Sequence, residues 1–491
     1  MENIVANGND LLMVLPVLVL LITGLELMLL DAFKVRKYLP WVAAAGIGLS
    51  MILALPPVLE AFADPQAVSF SGMYRTDALS SMVHIFLCAS GLFTIFFVGD
   101  FMKRQEAKIP DVYSLIVFSL IGMVLLANAN DLIITFIGLE TMSICLYVMA
   151  TMYKKDVRAN ESGLKYFLLG AFATGFFVYG IALIYGATGT TNFSAMDVTR
   201  LATSDFFYPG VGLLVIGFLF KVSAFPFHAW TPDVYSGTPT PLAGFMSTGS
   251  KSAAFIALAI FMNTNAVIAA DEKFQTVIIV CALLTMVYGN IVAARQSNIK
   301  RMLAYSSIAH SGYVMLALTA GPQGVQAVIF YMFIYTLMNI GAFGLVSMAE
   351  SRMEDNNLES WKGFGRANPW LGAALTIFLF SLAGIPPLAG FMGKYFVFAA
   401  AINAGIVVPA VIGILTSVIG AYYYITVVKT MYFDDSAKPS VVTSRSMMPV
   451  ATVVVLAVLV LLLGVYPALV QDHLATGVPF VDLPGISGIA P

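Results

Sequence analysis

The sequence predicts an all-α polytopic membrane protein of about fourteen transmembrane helices, and three observations carry that prediction. Of 491 residues, 59% are hydrophobic and 11% charged, with a mean hydropathy of +0.88; an ordinary soluble domain is roughly 25% charged. Predominantly apolar windows of about 20 residues, the length a helix needs to cross the hydrocarbon, recur along the whole chain. Lys and Arg then collect on one side of those windows.

The expected spans are 11–30, 39–62, 78–99, 110–128, 131–152, 161–186, 209–231, 239–262, 274–294, 302–319, 324–350, 368–400, 405–431 and 446–469. The first is too long for the apolar region of a signal peptide and follows no basic segment, so it is expected to be retained. Loops after odd-numbered spans hold seventeen basic residues: Lys34, Arg36, Lys37, Lys103, Arg104, Lys108, Lys154, Lys155, Arg158, Arg295, Lys300, Arg301, Arg352, Lys362, Arg366, Lys438 and Arg445. Loops on the other face hold three, Arg75, Arg200 and Lys273, and the termini hold none. Short cytoplasmic loops are enriched in Lys and Arg, which puts both termini on the non-cytoplasmic side. A miscounted span would have mixed the two sets.

Five bases remain inside spans: Lys165, Lys221, Lys251, Lys394 and Lys429. A charge at the bilayer centre costs about 2.5 to 17 kcal/mol, so such residues face a cavity or a partner. Lys429 and Glu350 lie near cytoplasmic span ends and are expected to snorkel; Lys165, a turn or so inside, is open to snorkelling or function. Lys221 and Lys251 each fall about twelve residues into their spans, roughly 18 Å deep. Glu140 reaches a similar depth in span five, so a Glu140–Lys221 pair is geometrically allowed, either as a static staple or as a working element. The deep lysines outnumber the deep carboxylates, Glu140 and Glu26, so at least one lacks a dedicated partner. A desolvated ammonium without a counter-charge gives up its proton more readily.

Spans seven and twelve also carry helix breakers: Pro226 in FPFHAW, and Gly384, Pro386, Pro387, Gly390 and Gly393 around Lys394. Backbone groups freed inside a membrane need a cavity, water or protein to satisfy them. The breaks are five spans apart, an odd offset that inverts direction, so spans four to eight and nine to thirteen are expected to be inverted repeats. Lysine precedes proline in span seven and follows it in span twelve, so the symmetry is approximate. The expected organisation is one membrane domain over 1–491: three helices in 11–99, a first repeat in 110–262, a second in 274–431 and a final helix in 446–469. Ser223, His228, Ser247, Thr248, Ser250, Ser252, Ser306, Ser307, His310 and Ser311 could link the lysines, His310 being the best-placed titratable group, although a lone buried histidine also serves packing. Tyr422, Tyr423 and Tyr424 are expected to be packing or interfacial aromatics.

Several functions are excluded. Cys88, Cys145 and Cys281 are isolated, which predicts neither disulfides nor a cysteine-ligated cluster. No phosphate-binding G-x-x-x-x-G-K-[ST] occurs, no dinucleotide fingerprint follows a strand, and His84, His228, His310 and His473 lack metal-ligand spacing. No cofactor, metal or nucleic-acid partner is expected in this chain; any redox chemistry belongs to other polypeptides.

The stretch from Lys221 to Lys251, K-x-x-x-x-P-F-H-x-W-x-P-D-x-Y-x-G-x-P-T-P followed by the second lysine, resembles the antiporter-like membrane subunits of respiratory NADH:quinone oxidoreductase (complex I), which are similar to Mrp-type sodium/proton antiporter subunits. The resemblance spans nearly the whole chain and implies a fourteen-helix core with helices seven and twelve broken. It implies proton-translocating roles for Glu140, Lys221, Lys251 and Lys394, and a place in the proton pathway for Lys165 and His310, with Glu140–Lys221 as a gate. It further implies a bacterial inner-membrane location with periplasmic termini, and partners among the other membrane-arm subunits, lipid and protons. FMN, iron–sulfur clusters, NADH and quinone would be handled by the other subunits. Lysine at position 394, where one larger member has glutamate, and a chain ending soon after the last span favour the member without an added lateral helix. A sodium/proton antiporter subunit, or the equivalent subunit of a hydrogenase-type or F420H2 complex, is the alternative.

Overall fold

The protein is described by a computed structural model over residues 8–56, 68–104, 109–153, 157–196, 204–265, 268, 271–350, 355–435 and 446–477. Lys108, Lys154, Lys155, Arg200, Arg352, Lys438 and Arg445 lie outside the described residues, as does the side chain of Arg158.

The helices are α1 (Leu15–Ala32), α2 (Leu39–Leu53), α3 (Ala78–Arg104), α4 (Val112–Ala127), α5 (Leu132–Ala150), α6 (Val157–Thr188), α7 (Phe207–Lys221), α8 (Thr231–Gly237), α9 (Thr240–Thr264), α10 (Glu272–Ala293), α11 (Ile299–Ala317), α12 (Gly321–Glu350), α13 (Pro369–Ala383), α14 (Ala389–Asn403), α15 (Val407–Phe433) and α16 (Met447–Val465). Every expected span is occupied by helix; spans seven and twelve are divided at their breaks, and a short helix, Gly8–Met13, precedes α1 in the first. Among the described residues, nine helices are long and apolar enough to cross a membrane, and α4, α7 and α13 are shorter apolar helices. The chain is a multi-pass membrane protein. The shortfall of the five other spans has physical causes: α2, α4, α7 and α13 are only 15 or 16 residues long, the last two being half-helices, and α11 carries Lys300, Arg301, Ser306, Ser307, His310 and Ser311, which dilute its apolarity.

Side-chain caps fix several starts. Asp131 accepts from Ile133 N (2.7 Å) at α5, Asp271 from Phe274 N (2.7 Å) at α10, and Asn298 from Lys300 N and Arg301 N (3.0 and 3.1 Å) at α11. Each satisfies donors that a helix start leaves open. A small antiparallel hairpin, β1 (Val68–Ser69) with β2 (Tyr74–Arg75), precedes α3.

Helices apolar on all sides belong at the centre. All of the apolar window of α9 is buried and 94% of that of α12, against 28% for α1 and α6. Around this axis the helix pairs recur: α4 packs on α5 as α10 packs on α11. Glycines set both crossings. A Cβ at Gly122 would stand 2.3 Å from Met142 N, and one at Gly138 2.4 Å from Leu126 N; at Gly289 and Gly312 the corresponding contacts are 2.6 Å to Ala309 N and 2.7 Å to Met286 N. Only glycine admits backbones this close.

The two breaks match in backbone form. α7 ends at Lys221, and Ser223 follows with φ +60°; α13 ends at Ala383, and Gly384 follows with φ +88°. Trp230 Nε1 donates to Phe220 O (3.1 Å), satisfying one carbonyl freed at the first break, while Lys394 Nζ donates to Ala383 O (2.8 Å) at the second. At the second break the ammonium therefore sits at the carbonyl end of a half-helix, where the helix dipole favours positive charge; Lys221 turns its ammonium to Ser143 and Tyr147 instead.

Candidate functional site

Three buried ammonium groups occupy the interior. Lys221 is 4% exposed, Lys251 1% and Lys394 7%. Among the described residues none of them forms an ion pair, so the expectation that at least one lacks a carboxylate holds for all three.

Lys221 Nζ donates to Ser143 Oγ (2.6 Å) and Tyr147 OH (3.1 Å). It also lies 5.1, 5.8 and 5.7 Å from the ring centres of Tyr147, Tyr166 and Phe220, within cation–π range. The Glu140–Lys221 ion pair is absent: Glu140 Oε1 instead accepts from Thr174 Oγ1 on α6 (2.7 Å). The reason is a matter of register. Ser143 and Tyr147 stand three and seven residues beyond Glu140 on the same face of α5, and they offer Lys221 neutral acceptors one to two turns closer to its own helix end. The spacing of these two hydroxyls from Glu140 is readable in the sequence, but the deep carboxylate draws attention away from them.

Lys251 follows a π-helical turn, Met246–Ser250, inside α9; such turns commonly mark functional positions. Its Nζ donates to Ser307 Oγ (2.7 Å), Ser307 O (3.2 Å) and Ser311 Oγ (3.2 Å) on α11. Between Lys221 and Lys251 stands an aromatic wall: Tyr166 is stacked on Trp230 (4.6 Å), Trp230 is edge-on to Tyr235 (5.9 Å), and Lys251 Nζ lies 6.0 Å from the Tyr235 ring. Thr248 and Ser250, expected as links, bond back to carbonyls of their own helix, Gly244 O and Met246 O. Ser247 does join the network, accepting from Asn339 Nδ2 (2.7 Å), which also donates to Tyr335 OH (2.9 Å).

His310, one turn from Ser307, lies with Nδ1 2.6 Å from Tyr331 OH and Nε2 3.2 Å from Tyr424 OH. Tyr424 OH in turn meets Ser306 Oγ. The expectation of packing roles for Tyr422–Tyr424 is thus corrected for two of the three. Tyr424 bridges His310 and Ser306, and Tyr423 OH donates to Asn290 Oδ1 (3.3 Å), whereas Tyr422 is 63% exposed. Successive residues of a helix point in different directions, which a run of three tyrosines conceals.

Lys394 Nζ donates to Ser417 Oγ (2.7 Å) as well as to Ala383 O, and sits 5.3 Å from the Tyr313 ring; Tyr313 OH accepts from Asn290 Nδ2 (2.8 Å). A cavity of about 330 Å³ beside it is lined by Phe391, Tyr395, Phe398 and Ile414. The second half of the chain thus holds a nearly continuous series of hydroxyls, imidazole and amides from Lys251 to Lys394.

Lys165 lies elsewhere, at the mouth of a polar cavity and half-exposed. Its Nζ pairs with Glu161 (2.7 Å) and Asp233 (2.9 Å), and Asp233 also takes Arg301 Nη1 (3.0 Å). Burial works against the Asp233 charge, but the hydrogen bonds from Lys165 and Arg301 outweigh it and hold this carboxyl below its ordinary value of 3.8. These groups line a polar cavity of about 630 Å³ shared with Lys300, Asn298 and Asp355. Lys300, placed with the loop charges by sequence, is buried there and donates to Thr238 O (2.7 Å). Glu350 does not simply snorkel; its Oε2 accepts from Thr240 and Asn356 (2.7 and 3.1 Å). Lys429 is exposed. His228 sits in the first break, buried and stacked on Phe225 (5.3 Å).

Two half-helices that end at breaks, α7 against the fully buried α9 and α13 against the nearly buried α12, have the architecture of an antiporter-like membrane subunit. Residues 129–420 match the family model described as "NADH:quinone oxidoreductase/Mrp antiporter, TM". The chain is 43% identical to NADH-quinone oxidoreductase subunit N of Salinibacter ruber, over 90% of this chain and 91% of that one, and 42% identical to subunit N of Trichlorobacter lovleyi, over 86% and 88%. Among solved structures it matches a chain of respiratory complex I from Thermus thermophilus at 34% identity with TM-score 0.79, covering 94% of this chain and all of that one. An Mrp complex from Dietzia (TM-score 0.83, 19% identity) shares the fold. This chain belongs to the NADH-quinone oxidoreductase subunit N family.

Proposed function

We propose that this chain is the non-redox, proton-translocating subunit N of the membrane arm of an NADH:quinone oxidoreductase, resident in a bacterial inner membrane with periplasmic termini. The observation that carries this reading is the set of buried ammonium groups Lys221, Lys251 and Lys394, each held by hydroxyls, carbonyls and ring faces in place of a fixed carboxylate. An ammonium so held exchanges its proton when a neighbouring charge approaches or withdraws. Glu140, one turn from Ser143 and turned to Thr174, is the mobile carboxylate. At about 6 Å and an effective dielectric near 20 it supplies roughly 2 to 3 kcal/mol, comparable with about 2.3 kcal/mol to move a charge against 100 mV.

Protons enter at the Lys165–Asp233 mouth, occupy the Lys221, Lys251, His310 and Lys394 stations, and leave on the periplasmic side. The recurring α4–α5 and α10–α11 crossings and the two matching breaks support inverted repeats in 110–262 and 274–431. In this reading FMN, iron–sulfur clusters, NADH and quinone are bound by partner subunits, and the chain itself carries no redox group. A sodium/proton antiporter would need a carboxylate-rich cation site, which Glu140 with few deep companions does not supply. The test is to introduce Glu140→Ala or Lys221→Ala into the assembled complex in liposomes and measure protons taken up per NADH oxidised. The ratio should fall; an unchanged ratio would reduce the chain to a scaffold.

A further inference from the structure

The buried face of α1 is formed by Leu20, Thr23, Gly24 and Leu27, which pack on α2 and α4. Opposite lies an apolar stripe with Ile22 63%, Leu25 50%, Leu29 59% and Phe33 77% exposed. In the middle of that stripe is an exposed carboxylate, Glu26. Among the described residues it has neither an ion pair nor a hydrogen bond. The cations nearest in sequence are not available to it: Arg36 is taken by Asp31 (2.6 Å), and Lys34 lies beyond the helix end.

Glu26 stands six residues before the end of α1, about 9 Å from it at 1.5 Å per residue. Helical side chains lean toward the N-terminus of their helix, which on α1 is the non-cytoplasmic end. The carboxyl is therefore directed deeper into the membrane. A long basic side chain escapes such a position by snorkelling, but glutamate is too short to. A bare carboxylate facing lipid tails there is strongly disfavoured.

We infer that the Ile22–Glu26–Leu29–Phe33 face of α1 is an intramembrane interface, and that its occupant is a transmembrane helix of another polypeptide presenting a Lys or Arg to Glu26. A cation is required because a neutral donor leaves the carboxylate charge uncompensated in low dielectric, and the exposed side chains around Glu26 supply the apolar rim that excludes water from the pair. This rests on the proposed function in one respect: it needs a membrane assembly containing this chain.

The test uses dicyclohexylcarbodiimide, an apolar reagent that modifies protonated carboxyls within the hydrocarbon, with mass spectrometry of the peptide containing Glu26. In the purified chain, freed of partners, Glu26 should be modified; in the intact membrane complex the modification should be at least about tenfold slower. Equal modification in both overturns the inference and shows a protonated, lipid-facing glutamate, while leaving proton pumping by the same complex, measured in parallel, as the separate check on function. A second arm uses Glu26→Leu, which suits a lipid-facing helix and does not disturb folding of the chain. Truncating one member of a desolvated charge pair leaves the other buried and unpaired, so retention of this chain in the detergent-purified complex should drop at least about tenfold, with Glu26→Gln intermediate. Undiminished retention of Glu26→Leu also overturns it.

Discussion

At Lys221 the protein satisfies a buried ammonium with two hydroxyls and three rings. Tyr147 serves twice, offering its hydroxyl at 3.1 Å and its ring at 5.1 Å. Tyr147→Phe removes the first and keeps the second. A hydrogen bond to a charged group is worth about 1.5 to 3 kcal/mol, so the balance between Lys221 on its hydroxyls and Lys221 near Glu140 should shift tenfold or more. The expected outcome in the assembled complex is NADH oxidation near the parent rate with a several-fold lower proton yield; an unchanged yield would show the hydroxyl to be idle. Charged stations were legible in the sequence because Lys221, Lys251, Lys394 and Glu140 interrupt apolar runs. Of their partners, Ser307 and Ser311 beside Lys251 were among the expected links, but Ser143, Tyr147 and Ser417 were not, since a hydroxyl on a membrane helix has no distinctive context. Ser417 reads like any lipid-helix serine until Lys394 is folded onto it, and Tyr424 is distinguished from Tyr422 only by the direction each faces.

At the scale of elements, backbone spacing decides whether those stations align. α5 carries Glu140, Ser143 and Tyr147, and its distance from α4 is set by Gly138 against Leu126 and Gly122 against Met142. Gly138→Ala would place a methyl 2.4 Å from a backbone nitrogen, and backbone cannot yield as a flexible side chain does. Overpacking of this kind costs about 1 to 3 kcal/mol. The thermal unfolding midpoint of the purified chain should fall, whereas Gly48→Ala on α2, where a Cβ meets nothing within 4 Å, should leave it unchanged. Equal midpoints for the two variants would refute the crossing argument. Helix existence and the two breaks followed from apolar length and from Pro226, Gly384 and Pro387, because these residues act locally. The crossings did not follow, since Gly122 and Gly138 read as ordinary membrane glycines until the partner backbone is beside them. The lost register between lysine and proline in span twelve is likewise a long-range matter: Lys394 returns along its own side chain to Ala383.

Across the whole molecule, α9 and α12 form a buried axis with Lys221 and Glu140 on one side and His310 and Lys394 on the other, while Lys251 on α9 stands between them. This arrangement has a consequence that separates one pathway from several. Effects of distant, independent sites add, and those of residues acting in one unit do not. Lys221 and Lys394 share no direct partner, so on local grounds their substitutions should combine additively in free energy. If a proton must pass both stations in one cycle, the slower block sets the yield, and Lys221→Ala with Lys394→Ala should pump no worse than the poorer single variant. Lys251→Ala, in the middle of the same series, should reach that same floor by itself. The measurement is proton yield per NADH for the three single variants and the double variant in one liposome preparation, with electron transfer monitored as an internal control. Losses that sum in the double variant would mean that the two halves carry protons separately, and the aromatic wall of Tyr166, Trp230 and Tyr235 would then be a partition between two pathways and not a gate within one.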